Sequence, residues 1–142
     1  MVKECDPELI DRVLTAATAV HRELGPGLFE SVYEQALAVE LRAACVDVVT
    51  QIALPVTYRG VDLGLGYRID VLVPDKLILE IKSVRHLEPV HVNQVLTYLR
   101  CSQIRTGFIL NFNSRLMKDG IKRVTLFSQP ENPRVPRGNS LL

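Results

Sequence analysis

The sequence predicts an α/β or α+β protein in which helices flank a mixed β-sheet. Two observations indicate this fold class. Apolar residues at helical spacing fill the first part of the chain, whereas β-branched runs begin at Val48 and continue past a third helical segment. The chain has 142 residues, which corresponds to one domain at about 100–200 residues per domain.

Two helices are expected before the first strand. Asp6 is a good N-cap, Pro7 suits the first helical position, and Gly25 followed by proline ends the first helix. A second helix, rich in Glu, Ala, Leu and Gln, is expected from about Leu28 to Ala44. These segments place two helices on the N-terminal side of the sheet-forming part.

The strands follow from β-branched and apolar runs bounded by turn residues. They are expected at 48–58, with a bulge or interruption at Pro55, and at 65–73, 77–84, 106–111 and 123–127. A tight turn at 74–76 joins the second and third strands. Pro89 precedes a third helix at about 90–101, between the third and fourth strands.

The charge, the apolar runs and the cysteines of the sequence limit the classes of function that we expect. The formal net charge is +1, which argues against a strongly basic nucleic-acid coat protein. No run of 18 apolar residues and no apolar signal-peptide core occur, so we expect no membrane segment and no secretion signal. Three scattered cysteines predict a reducing cytoplasm without disulfides or a zinc site.

We expect one domain over residues 1–128, followed by a flexible tail over residues 129–142. The tail prediction rests on the three prolines and the polar residues that follow residue 128.

An acidic pair is expected on the hairpin that the tight turn closes. If Val73 lies opposite Leu77, then Asp70 lies opposite Glu80, and directly opposed like charges are destabilising. Lys82 shares the face of Glu80 and supplies one compensating charge. A divalent cation such as Mg²⁺ would supply the rest, because it prefers carboxylate oxygens. The alternative is a surface Glu–Lys ion pair with a solvated aspartate.

Side-chain alternation also predicts the faces of the second strand. Tyr67, Ile69, Val71 and Val73 are expected on one face. Arg68, Asp70 and Leu72 are expected on the other.

Further candidates lie on the helices. Glu30 and Glu34 share a stripe with core-facing leucines, so both are expected to face inward and to reach the metal or its waters. The alternative for these acids is stabilisation of the positive end of the helix dipole. On the third helix, Gln94 and Tyr98 are four residues apart on one face, where they could bond a phosphate, a base or the lysine. Alternatively, they simply form a half-buried helix face.

These residues together resemble a known family. Residues 27–33 read GLFESVY, which fits a GxxExxY signature. Asp70, Glu80-Ile81-Lys82, Gln94 with Tyr98, and the run ILNF at 109–112 follow in order. The chain thus resembles, over about residues 13–127, the GxxExxY family of the PD-(D/E)XK nuclease-like superfamily. The resemblance implies a restriction-endonuclease-like core, with a central mixed four-stranded sheet flanked by helices.

The resemblance also implies roles for individual residues. It implies that Asp70 and Glu80 bind Mg²⁺, or alternatively Mn²⁺, together with the backbone carbonyl of Ile81. It implies that Lys82 positions or activates the attacking water. Glu30 matches the acid of the first core helix. Gln94 and Tyr98 resemble the QxxxY motif of RecB-type nucleases.

The leading functional hypothesis is therefore metal-dependent hydrolysis of phosphodiester bonds in DNA or RNA. The alternative is a nuclease-fold module that binds or regulates without catalysis. A third hypothesis is an interaction subunit, and the sequence leaves a homo-oligomer or a protein partner open.

Overall fold

The computed structural model describes residues 5–127, in which a β-sheet lies between helices on its two faces. In chain order the elements are α1 (Pro7–Leu24), α2 (Glu30–Ala43), β1 (Val49–Tyr58), β2 (Val61–Val73), β3 (Leu77–Lys82), α3 (Pro89–Ser102), β4 (Thr106–Asn111), a short 3₁₀ helix (Met117–Gly120) and β5 (Ile121–Thr125). The expected tail at 129–142 lies outside the described residues.

The sheet has five strands in the order β1-β2-β3-β4-β5. The β3–β4 pair is parallel, and the other three pairs are antiparallel. Parallel neighbours need a crossover connection, and α3 forms it between β3 and β4. The predicted mixed sheet flanked by helices is confirmed, with five strands in place of the four that the resemblance implied.

Two hydrophobic clusters cover the two faces of the central strand β3. Leu77, Leu79 and Ile81 pack in the cluster of α1 and α2, and Ile78 packs in the cluster of α3. Successive side chains of a strand point to opposite faces, so β3, covered on both sides, buries every residue from Leu77 to Ile81. Glu80 follows this rule and is only 4% exposed. A carboxyl group therefore occupies a core position.

The connection from α1 to α2 explains two residues of the sequence signature. Gly27 adopts a φ of +93°, a conformation that glycine accepts readily. The hydroxyl of buried Tyr33 donates to the carbonyl of Gly25 and accepts from the backbone N–H of Leu28, at 3.0 Å for the latter. These bonds hold Leu28 in the loop, so α2 begins at Glu30 rather than near Leu28 as predicted.

Other element bounds differ from the predicted ones by a few residues. β2 begins at Val61, four residues early, because residues 61–65 extend an exposed hairpin with the end of β1. The predicted irregularity at Pro55 is confirmed as a register shift between Pro55 and Thr57. β5 covers Ile121–Thr125 rather than 123–127, directly after the 3₁₀ helix that the sequence did not indicate.

Replacing Tyr33 by phenylalanine tests the role of the loop bonds. Tyr33→Phe keeps the ring, which stacks on Phe112 at a centroid distance of 4.5 Å, but removes both hydroxyl bonds. We expect a loss of about 1–3 kcal/mol in the free energy of unfolding, since each of the two bonds has a usual net value of about 0.5–1.5 kcal/mol, measured by urea denaturation. Tyr58→Phe, at an exposed tyrosine, is the control and should change little. Equal stability of the two variants would contradict this role.

Candidate active site

The candidate site forms where β2 and β3 stop pairing. The pairs Val73–Leu77, Leu72–Ile78 and Val71–Leu79 confirm the predicted hairpin register. One step further, the backbone N–H of Ile81 donates to Oδ2 of Asp70 at 2.8 Å. A side-chain carboxylate thus accepts a backbone N–H of β3, which fixes Asp70 against the residues around Glu80.

The faces of β2 change at Asp70, and the predicted alternation is wrong on this point. Ile69 packs in the α3 cluster and Tyr67 contacts the α3 residue Tyr98, whereas Val71 packs in the α1–α2 cluster. Across from this step, between the pairs Thr50–Val71 and Ile52–Ile69, Gln51 of β1 has a φ of +58°. Residues before and after Asp70 therefore face different helices.

The Glu80 carboxyl group is buried with incomplete compensation. Its Oε1 lies 3.6 Å from Nζ of Lys82, whose side chain is 15% exposed. Its Oε2 is buried, and no hydrogen-bond partner reaches it within residues 5–127. Burial is the main cause that raises the pKa of Glu80 to about 9, followed by the charge of Asp70, while Lys82 opposes the rise. An ionised Glu80 needs more positive charge than Lys82 supplies.

The two acids of α2, Glu30 and Glu34, differ in burial. Glu34 is 5% exposed and accepts a hydrogen bond from Nε2 of Gln51. Burial raises the pKa of Glu34, the Gln51 bond lowers it, and the charge of Asp70 raises it further. Glu30 is exposed at the first residue of the helix. The expectation of an inward side chain is confirmed for Glu34 and wrong for Glu30.

Of the α3 pair Gln94 and Tyr98, the tyrosine interacts with the two hairpin acids. Tyr98 is buried, and its pKa is raised first by burial and then by the charges of Glu80 and Asp70. A hydrogen bond with half-buried Gln94 opposes this rise. Tyr67 meets the Tyr98 ring edge-on at a centroid distance of 5.7 Å. The raised pKa means that Tyr98 keeps its phenolic proton beside the two hairpin acids.

Asn111 is a residue of this region whose role sequence reasoning missed. It lies beside Lys82 at the end of β4 and is buried. Its Oδ1 accepts from the N–H of Val84 at 3.1 Å, and its Nδ2 donates to the carbonyl of Val84 at 2.9 Å. These bonds end β3 at Lys82 and hold the following loop. A polar residue closing an apolar strand was the available signal.

The donor set fits Mg²⁺ in one respect that can be tested on the structure. Within the described part of the chain, no group of three or more His, Cys, Asp or Glu residues is arranged to hold a metal ion alone. Mg²⁺ is usually bound by one or two carboxylates and completes its shell with water and substrate phosphates. Glu80, with its unpartnered Oε2, and the neighbouring Asp70 form such a pair of carboxylates. The residues present therefore fit a partly hydrated cation.

A mixed sheet between helices, with this Asp and Glu-x-Lys arrangement on its central hairpin, defines a restriction-endonuclease-like protein. The comparison with family models agrees, because the model of the PD-(D/E)XK nuclease superfamily matches residues 7–124. The chain belongs to this superfamily. Searches of the curated proteins and of the solved structures gave no significant match. None of the helices within residues 5–127 is long and apolar enough to cross a membrane.

The raised pKa of Glu80 predicts how stability depends on pH without metal. Between the ordinary value of 4.5 and about 9, the unfolded chain releases a proton that the folded protein retains. The folded state then binds more protons, so stability falls as pH rises through this window. Glu80→Gln should flatten the fall, measured by urea denaturation in EDTA from pH 5 to pH 8.5.

The control for this measurement is Glu40→Gln, at an exposed position of α2. It should keep the pH dependence of the wild type. Parallel curves for wild type and Glu80→Gln would show that Glu80 titrates normally.

Proposed function

We propose that the protein is a metal-dependent nuclease that hydrolyses phosphodiester bonds in DNA or RNA. The observation that supports this most is the buried Glu80, whose Oε2 has no partner among the described residues although Asp70 and Lys82 lie beside it. The superfamily of the chain makes nucleic acid the expected substrate class. The order of the motifs favours the GxxExxY family within that superfamily.

The two hairpin acids would hold the metal. The carboxylates of Asp70 and Glu80, with the backbone carbonyl of Ile81, would bind Mg²⁺ or Mn²⁺. The ion, when bound, supplies polarisation of a phosphoryl oxygen and a lower pKa of bound water. Asp70 is suited to this role because the Ile81 N–H already fixes one of its oxygens.

Lys82 would act on the reacting groups directly. It is a compact charge at the end of β3, and its mostly buried side chain lies beside Glu80. A lysine in this position would orient the attacking water and stabilise negative charge that develops on the phosphate.

The helices would complete the site from both faces of the sheet. Tyr98 keeps its proton and would donate a hydrogen bond, and Gln94 would orient it or contact a phosphate. For the helix acid we favour Glu34 over Glu30. Glu34 is buried and its pKa responds to Asp70, whereas Glu30 is exposed.

A catalytically silent binding or regulatory module is the second candidate. The net charge of +1 favours it, because it provides little general attraction to nucleic acid. The cytoplasmic location and any homo-oligomer or protein partner remain predictions from the sequence.

A cleavage assay with a lysine variant distinguishes the two candidates. Single- and double-stranded DNA and RNA are incubated with Mg²⁺, Mn²⁺ or EDTA. We expect metal-dependent cleavage by the wild type and a loss of about 100-fold or more for Lys82→Ala, the usual effect of removing one group that stabilises transition-state charge.

The matched control for cleavage is Lys76→Ala. Lys76 is exposed in the turn of the same hairpin, so its removal should leave the rate unchanged. Cleavage by Lys82→Ala at the wild-type rate would remove the lysine from the mechanism. No cleavage by the wild type, with metal binding retained, would favour the silent module.

Thermal unfolding tests the metal site without catalysis. Mg²⁺ at a hundredfold excess over Kd should add about 2.7 kcal/mol to wild-type stability, a rise in Tm of several degrees. Asp70→Asn keeps an acceptor for the Ile81 N–H and removes one of two repelling charges. It should be as stable as the wild type in EDTA, or more stable by about 1 kcal/mol, and should lose the Mg²⁺ shift.

Asp75→Asn is the control, because Asp75 is exposed at the tip of the same hairpin. It should keep the full Mg²⁺ shift. Equal shifts for Asp70→Asn and the wild type would exclude Asp70 from the site.

A further inference from the structure

Gln51 has an unusual backbone conformation inside a strand. It lies within β1 with a φ of +58°, a region that residues other than glycine rarely occupy and that concentrates at functional sites. The ladder pairs Thr50–Val71 and Ile52–Ile69 lie on either side of it. Gln51 thus stands across from Asp70 at the irregular step of the sheet.

The Gln51 side chain connects three elements. Its Nε2 donates to Oε1 of Glu34 on α2, and its Oε1 accepts from Nη1 of Arg68 on β2 at 3.4 Å. An amide can donate and accept at once. A carboxylate in its place would repel Glu34, and an ammonium could not accept from Arg68.

The backbone conformation makes the bond to Glu34 geometrically accessible. Thr50 shares its ladder position with Val71, which packs in the α1–α2 cluster, and Ile52 packs in the α3 cluster. In a regular strand Gln51 would point away from the face of Thr50. The left-handed residue breaks this alternation, so that its amide meets Glu34 on the α2 side.

We infer that Gln51 is a positioning residue, which holds the buried Glu34 carboxylate towards Asp70 so that Glu34 takes part in metal or water binding. This inference rests on the proposed function, because it assigns Glu34 to the same site. The residues that orient ligands of a metal typically change its affinity by 10–100-fold when they are removed. A residue that only connects α2 to the sheet would change stability instead.

Gln51→Gly separates positioning from simple connection. Glycine accepts the left-handed conformation without strain, and the substitution removes the amide. We expect an Mn²⁺ affinity at least tenfold weaker than that of the wild type by calorimetric titration. The Tm in EDTA should change little, because relief of the left-handed conformation offsets the lost bond to Glu34. A lower Tm with unchanged Mn²⁺ affinity would overturn the inference.

Gln103→Gly is the matched control. Gln103 also has a φ of +58°, at the C-cap of α3, and is exposed. Its replacement by glycine relieves the same left-handed backbone conformation at a position away from the acids. It should therefore leave the Mn²⁺ affinity unchanged. A tenfold loss in this variant too would show that the effect of Gln51→Gly is not specific.

A double-mutant cycle tests whether Gln51 acts through Glu34. In a Glu34→Gln background, Gln51→Gly should weaken Mn²⁺ binding by less than twofold, because the group that it positions is gone. A full tenfold further loss of Mn²⁺ affinity would contradict this route.

If the wild type binds no Mn²⁺, the proposed metal site fails and the inference fails with it. If wild type and Gln51→Gly bind equally well, only the role of Gln51 is overturned.

Discussion

The burial of one carboxyl group, Glu80, in the central strand is the constraint on which the site depends. β3 is covered by helices on both faces, so a residue at this position leaves water whatever its chemistry. Desolvation of a charge is unfavourable unless partners compensate it. Lys82 is the nearby cation, and Asp70 adds a second negative charge. The arrangement therefore favours either a retained proton or a bound cation.

The surrounding elements hold this unfavourable cluster in place through backbone and side-chain bonds. Asp70 accepts from a β3 backbone N–H, and Asn111 fixes the loop that follows Lys82. Glu34 approaches from α2 and Tyr98 from α3, on opposite faces of the sheet. Functional sites are often maintained at a cost in stability that a ligand offsets. The proposed metal site at Asp70 and Glu80 would have this character.

Much of the fold and part of the site could be predicted from local sequence signals. The cap at Asp6, whose carboxylate accepts from the Glu8 N–H at 3.0 Å, and the turn at 74–76 depend on neighbouring residues only. The hairpin register followed from the turn, and it brought Asp70 to Glu80. Glu30 and Glu34 could not be ranked in this way. They are four residues apart and point in nearly the same direction around a helix.

The sequence by itself determined the order of the elements and the carriers of charge: an acid on each strand of one hairpin, a lysine two residues later, and two more acids on a helix. Only the tertiary structure decided which of them meet. It buried Glu34 and left Glu30 at the exposed start of α2. It also changed the faces of β2 between Ile69 and Val71, across from the left-handed Gln51. The physical reason is that the burial of a side chain and the irregularity of a strand depend on how the elements pack against one another. Residue spacing along the chain does not encode this packing.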